Sequence, residues 1–233
     1  MRVVLIDYGA GNLHSVEKAL HAAGVGCVRS ADPERAREAD ALVLPGQGHF
    51  GQVMRSFERS GFEGVVRAHI ERGAPFLGIC VGLQLLTRGS EEAPGVAGLG
   101  VLDADVRRFP ADGVSVPQMG WNQIWPIGEP PLLSGVAPGA FVYFANSYFV
   151  TFPAGSVPAG AETRYGTTRF LSAVSIGPLH ATQFHPEKSQ AVGLQVLANF
   201  GALVAGAERA GAERGGERSG PGERASATRE TSS

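Results

Sequence analysis

Gly78-Ile79-Cys80-Val81-Gly82 sets a thiol between two glycines, directly after an apolar run and directly before Leu83-Gln84-Leu85-Leu86. A strand that turns sharply into a helix lifts its turn residue to the sheet edge, and small flanking residues permit the turn. The start of a helix favours negative charge, and the thiolate is the nucleophilic form of cysteine. The spacing therefore predicts a nucleophile at Cys80 rather than the buried structural cysteine that a lone Cys usually is. Cys27 has no such frame and reads as core. Two cysteines cannot build a disulfide framework.

A thiol nucleophile needs a base, and the base needs an orienting partner. Gln183-Phe184-His185-Pro186-Glu187 offers both at the end of an apparent strand. Residues two apart on a strand share a face, which sets Glu187 beside the His185 imidazole, with Pro186 stiffening the turn. A third element is Pro45-Gly46-Gln47-Gly48, again after an apolar run. Its glycines let backbone N–H groups approach the oxyanion that forms when a thiolate attacks a carbonyl. Taken singly, a His-x-Glu or a Gly-rich turn is commonplace. Their weight comes from sharing a chain with the elbow.

The elements that must hold these residues alternate. Val3 to Ile6 reads as a buried strand, and Gly26 to Arg29, Ala41 to Leu44 and Pro75 to Ile79 as three further strands. Between them, Val16, Ala19, Leu20 and Ala23 recur at helical spacing before Gly24. Pro33 to Ala39 forms a short helix with Asp32 as N-cap, and two more helices fall near 50–59 and 62–72. Strands alternating with helices predict a parallel sheet covered on both faces. Residues 99–185 are different, rich in Val, Phe, Tyr, Trp, Pro and Gly, with strands and hairpins at Phe141 to Phe152 and Phe170 to Phe184. Leu194, Leu197, Ala198 and Gly201 mark a last helix. The expected fold class is α/β, with a mixed, largely parallel central sheet flanked by helices and an antiparallel-rich extension.

One domain is expected over 1–205. Beyond it, 206–233 holds five Arg and five Glu among Ala, Gly and Ser, with no large apolar residue to bury, and reads as a disordered low-complexity tail. The formal net charge of −2 leaves no electrostatic footprint for nucleic acid. No apolar stretch reads as a bilayer span, and no signal peptide opens the chain, so a cytoplasmic location is expected. Gly9-x-Gly11 after the first strand lacks the third glycine of a dinucleotide fingerprint, since His14 stands there. Histidines at 14, 21, 49, 69, 180 and 185 show no metal-ligand spacing. Neither cofactor nor metal is expected. His180 reads as structural, and Trp121 and Trp125 as packing residues.

In this order the three elements resemble the class I, triad-type glutamine amidotransferases, over roughly residues 3–204. The resemblance implies that Cys80 attacks the glutamine carboxamide to form a thioester. It makes His185 the general acid and base, with Glu187 orienting it. Gly46, Gln47 and the Val81 amide are then oxyanion candidates, and Gln84, Ser147 and Tyr148 contact glutamine. Asp7-Tyr8-Gly9-Ala10-Gly11-Asn12, Pro45-Gly46-Gln47-Gly48-His49-Phe50, Pro117-Gln118-Met119-Gly120-Trp121-Asn122 and His185-Pro186-Glu187-Lys188-Ser189 are similar to the histidine-biosynthetic branch of that family. That likeness implies a heterodimer with a cyclase partner, whose (β/α)8 barrel receives the ammonia. Asn12, Trp121, Asn122, Tyr143 and Lys188 are its candidate contacts. The branch usually carries His where this chain has Gln118 and Asn146. Two other readings compete: a hydrolase serving another acceptor, and a silent scaffold. The intact Cys80, His185 and Glu187 argue against silence.

Overall fold

The short apolar runs of the first half do form a parallel sheet, buried on both faces except at its outer strand, where Val28 and Arg29 are exposed. A computed structural model describes residues 2–111 and 113–217, with side chains as far as 209. Strands β1 (Val3–Ile6), β3 (Ala41–Gly46) and β4 (Phe76–Cys80) are buried at every position, as parallel strands covered by helices must be. With β2 (Cys27–Ser30) and β11 (Leu179–Thr182) they make a five-stranded parallel block, ordered β2-β1-β3-β4-β11.

The crossover helices are α1 (Leu13–Ala22), α2 (Pro33–Arg37), α3 (Phe50–Arg59) and α4 (Phe62–Glu71). Asp32 caps α2 as expected, its Oδ1 accepting from the Glu34 N–H at 3.0 Å with Pro33 in the first turn. That helix stops at Arg37, two residues short of the expected end. Gly24, at φ +78°, lets the chain reverse after α1 at no steric cost.

The sheet then changes sense. β10 (Thr168–Ile176) hairpins onto β11, and β9 (Ala159–Tyr165), β6 (Gln118–Ile127) and β7 (Ala140–Asn146) continue antiparallel to the far edge of a nine-stranded sheet. The expected mixed sheet is present, with its parallel and antiparallel strands segregated into two blocks. The segment read as a hairpin from Phe141 to Phe152 is not one. β8 (Tyr148–Thr151) leaves β7 and pairs instead with β5 (Asp105–Arg108) in a separate two-stranded sheet. Phe149 there stacks on Phe109 at 4.7 Å between ring centroids, and that aromatic contact draws the chain away from its neighbour.

The last helix, α6 (Gln190–Glu217), differs from its sequence reading in three respects. Its buried stripe is Val196, Leu197, Phe200 and Val204, each 0% exposed, while Leu194 is half-buried. Burying such side chains contributes roughly 1.5–3 kcal/mol apiece. The helix runs on to Glu217, so the boundary expected at 205/206 falls inside it, and 218–233 lie outside the described residues. Gln190–Arg209 is also long and apolar enough to cross a membrane by length and composition. Its hydropathy comes from Val, Leu, Ala and Phe interspersed with Gly, Gln and Asn, which is why no single apolar run stands out. One side of the helix is packed against the domain.

Candidate active site

β4 delivers Cys80 into the elbow, with α5 (Val81–Leu85) starting at the next residue. Cys80 adopts φ +55°, ψ −109°, a conformation that L-residues rarely take and that marks a functional turn. The glycines around it serve close packing. A Cβ on Gly82 would lie 2.0 Å from the Leu44 carbonyl oxygen, and one on Gly46 would lie 2.7 Å from the Gly82 nitrogen. β3 and the elbow therefore pack backbone to backbone, with Gly46 in register opposite Cys80.

His185 and Glu187 meet as expected, though not by strand alternation. β11 ends at Thr182, and the two residues lie in a 3-10 turn, Pro186–Lys188, with His185 at its start. His185 Nδ1 is 2.7 Å from Glu187 Oε1, and both side chains are buried. Ser189 braces the turn by donating to the His185 carbonyl at 2.6 Å and accepting from the Tyr143 N–H at 2.9 Å. Burial disfavours the charged imidazole. The neighbouring Cys80 and then Glu187 outweigh burial and raise His185 to about 10. A protonated imidazole beside a thiolate is the charge distribution of an activated cysteine nucleophile.

In front of the thiol lies a cavity of about 220 Å³, walled by Gln47, Gly48, Val81, Gln84, Ser147 and Tyr148 among others. It gathers every expected substrate-binding residue except Gly46, which is buried under Val81. Gln84 Nε2 donates to Gln183 Oε1 at 3.1 Å and to the Tyr148 carbonyl at 3.3 Å, which ties the elbow helix to β8. Gln183 Nε2 in turn donates to Cys80 Sγ at 3.6 Å. Tyr8 donates to the Pro45 carbonyl at 2.7 Å, and burial followed by the nearby Cys80 charge holds its phenol well above the ordinary range.

Gln183, Tyr8 and Glu92 join the site without having been singled out by sequence. Tyr8 and Gln183 lie within the motifs above, but nothing in their spacing assigns them a role. Glu92, the only carboxylate on the cavity wall among the described residues, lies in an irregular stretch without periodicity. The two departures pair with each other, Gln118 opposite Asn146 across β6 and β7. Both Gln118 amide atoms and Asn146 Oδ1 are buried without a protein partner.

Three of the candidate contacts for a partner cluster: Trp121 packs edge-on to Tyr143 at 6.0 Å, and Lys188 Nζ sits 5.6 Å over the Tyr143 ring. Asn122 turns to the other face and donates to the Arg164 carbonyl at 2.9 Å. Asn12 stands at the start of α1 with no side-chain cap bond. The tryptophans, read as packing residues, pack at the surface, Trp121 against Tyr143 and Trp125 beside Gly139. Trp121 is 46% and Trp125 50% exposed, because the odd positions of β6 face away from the core. His180 is buried and structural in its contacts, Nδ1 lying 3.0 Å from Ser175 Oγ.

An elbow thiol, a buried His–Glu pair and a small polar cavity define a cysteine amidohydrolase site. The chain belongs to the class-I glutamine amidotransferase family, whose model (Glutamine amidotransferase class-I) matches residues 4–203. It is 54% identical over 199 residues to the imidazole glycerol phosphate synthase subunit HisH of Deinococcus radiodurans, covering 85% of this chain and 92% of that one. It is 53% identical over 198 residues to the protein of the same name from Thermus thermophilus, covering 85% and 96%. Among solved structures it resembles a glutamine amidotransferase, with TM-score 0.67 and 22% identity, over 87% of this chain and 98% of that one. At that identity the likeness concerns the fold alone. The chain is therefore an enzyme of the glutamine amidotransferase type.

Proposed function

We propose that this chain hydrolyses glutamine to glutamate and ammonia through a thioester on Cys80, as the glutaminase component of an imidazole glycerol phosphate synthase. The observation that carries the reading is the strained elbow thiol beside His185, whose imidazole is itself held by Glu187 at 2.7 Å. The Cys80 thiolate attacks the carboxamide carbon, and the developing oxyanion is met by backbone amides of Val81 and the Gly46–Gly48 loop. His185 gives its proton to the departing ammonia, leaving the acyl group on sulfur. The neutral imidazole then takes a proton from water as the water attacks the thioester, and glutamate leaves as the thiolate returns. Glu187 keeps the ring oriented and stabilises its charged form. Glu92 offers a carboxylate to the ammonium end of glutamine, and Ser147 and Tyr148 line the same cavity.

The partner is a cyclase with a (β/α)8 barrel, joined to this chain as a heterodimer through the face bearing Trp121, Tyr143 and Lys188. It consumes the ammonia to make imidazole glycerol phosphate and an aminoimidazole carboxamide ribonucleotide. Glutamine hydrolysis measured for the chain alone, with the cyclase, and with cyclase plus its nucleotide substrate tests both parts. No ammonia in any of the three overturns the activity, and equal turnover in all three overturns the coupling. The expected result is a rise in kcat on adding partner and nucleotide, because the exposed Gln47–Gly48 peptide, with Gly48 at φ +108°, can turn at little steric cost and one misdirected oxyanion donor costs about 10²–10³ in rate.

A further inference from the structure

The Pro45–Phe50 segment is tied at both ends and open in the middle. At its start the Pro45 carbonyl accepts from buried Tyr8 at 2.7 Å. At its end the Phe50 N–H, the first of α3, donates to Glu92 Oε2 at 2.6 Å. Between them Gln47 and Gly48 are exposed on the cavity wall, with Gly48 at φ +108°. Glu92 lines the same cavity. It comes from a turn with a fixed backbone, where Glu91 N–H donates to the Val106 carbonyl at 2.9 Å and Glu92 N–H to Ser90 Oγ at 3.1 Å. The turn also presses on the helix start, since a Cβ on Gly51 would lie 2.9 Å from the Ala93 Cβ.

We propose that Glu92 is a positioning residue: by holding the Phe50 amide with one oxygen and facing the ligand with the other, it sets the Gln47–Gly48 amides toward Cys80 when the cavity is filled. This rests on the glutaminase reading and deepens it, since one carboxylate serves both the substrate's ammonium group and the anchor of the oxyanion loop. A carboxylate suits both tasks, since a helix N-terminus favours negative charge and leaves its first N–H groups without internal partners. A cation on Oε1 neutralises the carboxylate without displacing the amide from Oε2. The loop therefore stays anchored while the substrate docks.

The two tasks separate by substitution. Glu92→Gln keeps an acceptor for Phe50 N–H and loses the charge, whereas Glu92→Ala loses both. Steady-state hydrolysis of glutamine by the full chain in complex with its cyclase should show a raised KM and a kcat within about twofold for Glu92→Gln. Glu92→Ala should add a fall in kcat of at least about tenfold, toward the 10²–10³ that a lost oxyanion donor costs. With glutaramate, which lacks the ammonium group, the KM effect should vanish and the kcat effect of Glu92→Ala should persist. If Glu92→Ala does not fold, Glu92→Asp replaces it: the charge stays but withdraws from Phe50, and kcat should fall. A change confined to KM in every variant shows an anchor for the substrate only and overturns the proposal, as does an equal kcat loss in Glu92→Gln. An inactive wild-type complex overturns the glutaminase reading itself, a result distinct from either.

Discussion

The parallel and antiparallel blocks of the one sheet solve different problems. In the parallel block β1, β3 and β4 have no exposed position. In the antiparallel block β6 and β7 alternate, burying Ile124, Val142 and Phe144 and exposing Trp121, Trp125 and Phe141. A strand buried on both faces can be bent into a strained elbow, because the packing on either side fixes it. A strand with one open face offers surface instead. The thiol comes from the first block, the His–Glu pair follows its last strand, and most of the far cavity wall comes from the loops and strand ends of the second.

The largest test of that division is Cys80→Ala. Ammonia release should drop to background with no fall in melting temperature, since the side chain is small and lines the cavity. A glutamine-analogue electrophile should label Cys80 and leave Cys27, whose thiol is pushed up to about 11 by burial and the nearby Glu17. Label on Cys27 alone would remove the chemistry from the parallel block.

Acid should strike the parallel block next. His69 on α4 and His180 on β11 are both lowered to about 4, chiefly by burial. His69 Nε2 lies 2.9 Å from the Pro75 carbonyl and Nδ1 2.9 Å from Arg72 Nη2, a pairing that suits only the neutral ring. Between about 4 and the ordinary 6.5 the unfolded chain binds more protons than the folded one. Stability is therefore full above 6.5 and is lost as pH falls. Each shift corresponds to about 3 kcal/mol. Denaturant midpoints at pH 7 and pH 4.5 should differ, and His180→Gln should narrow the difference. An unchanged gap would acquit His180.

His185 works with the opposite sign. Its folded value is raised to about 10, against the ordinary 6.5. Its contribution is complete below 6.5 and fades as pH rises toward 10. The pH profile of kcat/KM should fall on the alkaline side as this proton is lost. Glu187→Gln should move that limb to lower pH and retain more activity than His185→Ala, for which general acid–base loss is worth about 10²–10⁴. An alkaline limb that ignores Glu187 would separate it from the imidazole's charge.

The same contrast explains what could be read from sequence. Buried parallel strands are short runs with few polar residues, so Val3–Ile6 and Phe76–Cys80 are visible, and the elbow with them. His185 and Glu187 are found by chemistry and spacing, yet strand alternation is the wrong reason, since a turn joins them. The antiparallel block hides its partners because pairing there is set by contacts distant in sequence. Phe149 on Phe109 sends β8 to β5, and no local pattern announces that. The tryptophans show a related limit: they read as packing residues, but which face of β6 they pack on is set by the sheet and not by local pattern. Glu92 carries no periodicity, and its place at the cavity follows only from Phe50, 42 residues away.

The smallest expected effect falls on that open face. Trp125 is half exposed, and its ring packs beside Gly139 at the sheet edge. Surface substitutions away from caps, cores and buried polar groups change stability by within about 0.5 kcal/mol. Trp125→Ser should therefore shift the melting temperature of the free chain very little and leave its basal ammonia release as it was, since the residue touches neither the cavity wall nor the triad. If the face docks a partner, the cost appears there. Aromatic side chains are disproportionately the anchors of interfaces, and truncating one costs about 2 kcal/mol or more when it is central. Titrating wild type, Trp121→Ser and Trp125→Ser with the cyclase should rank them by distance from the Tyr143–Lys188 cluster, with Trp121 the costlier. A large loss of folding stability in Trp125→Ser would instead make the antiparallel block as structural as the parallel one and erase the distinction between them.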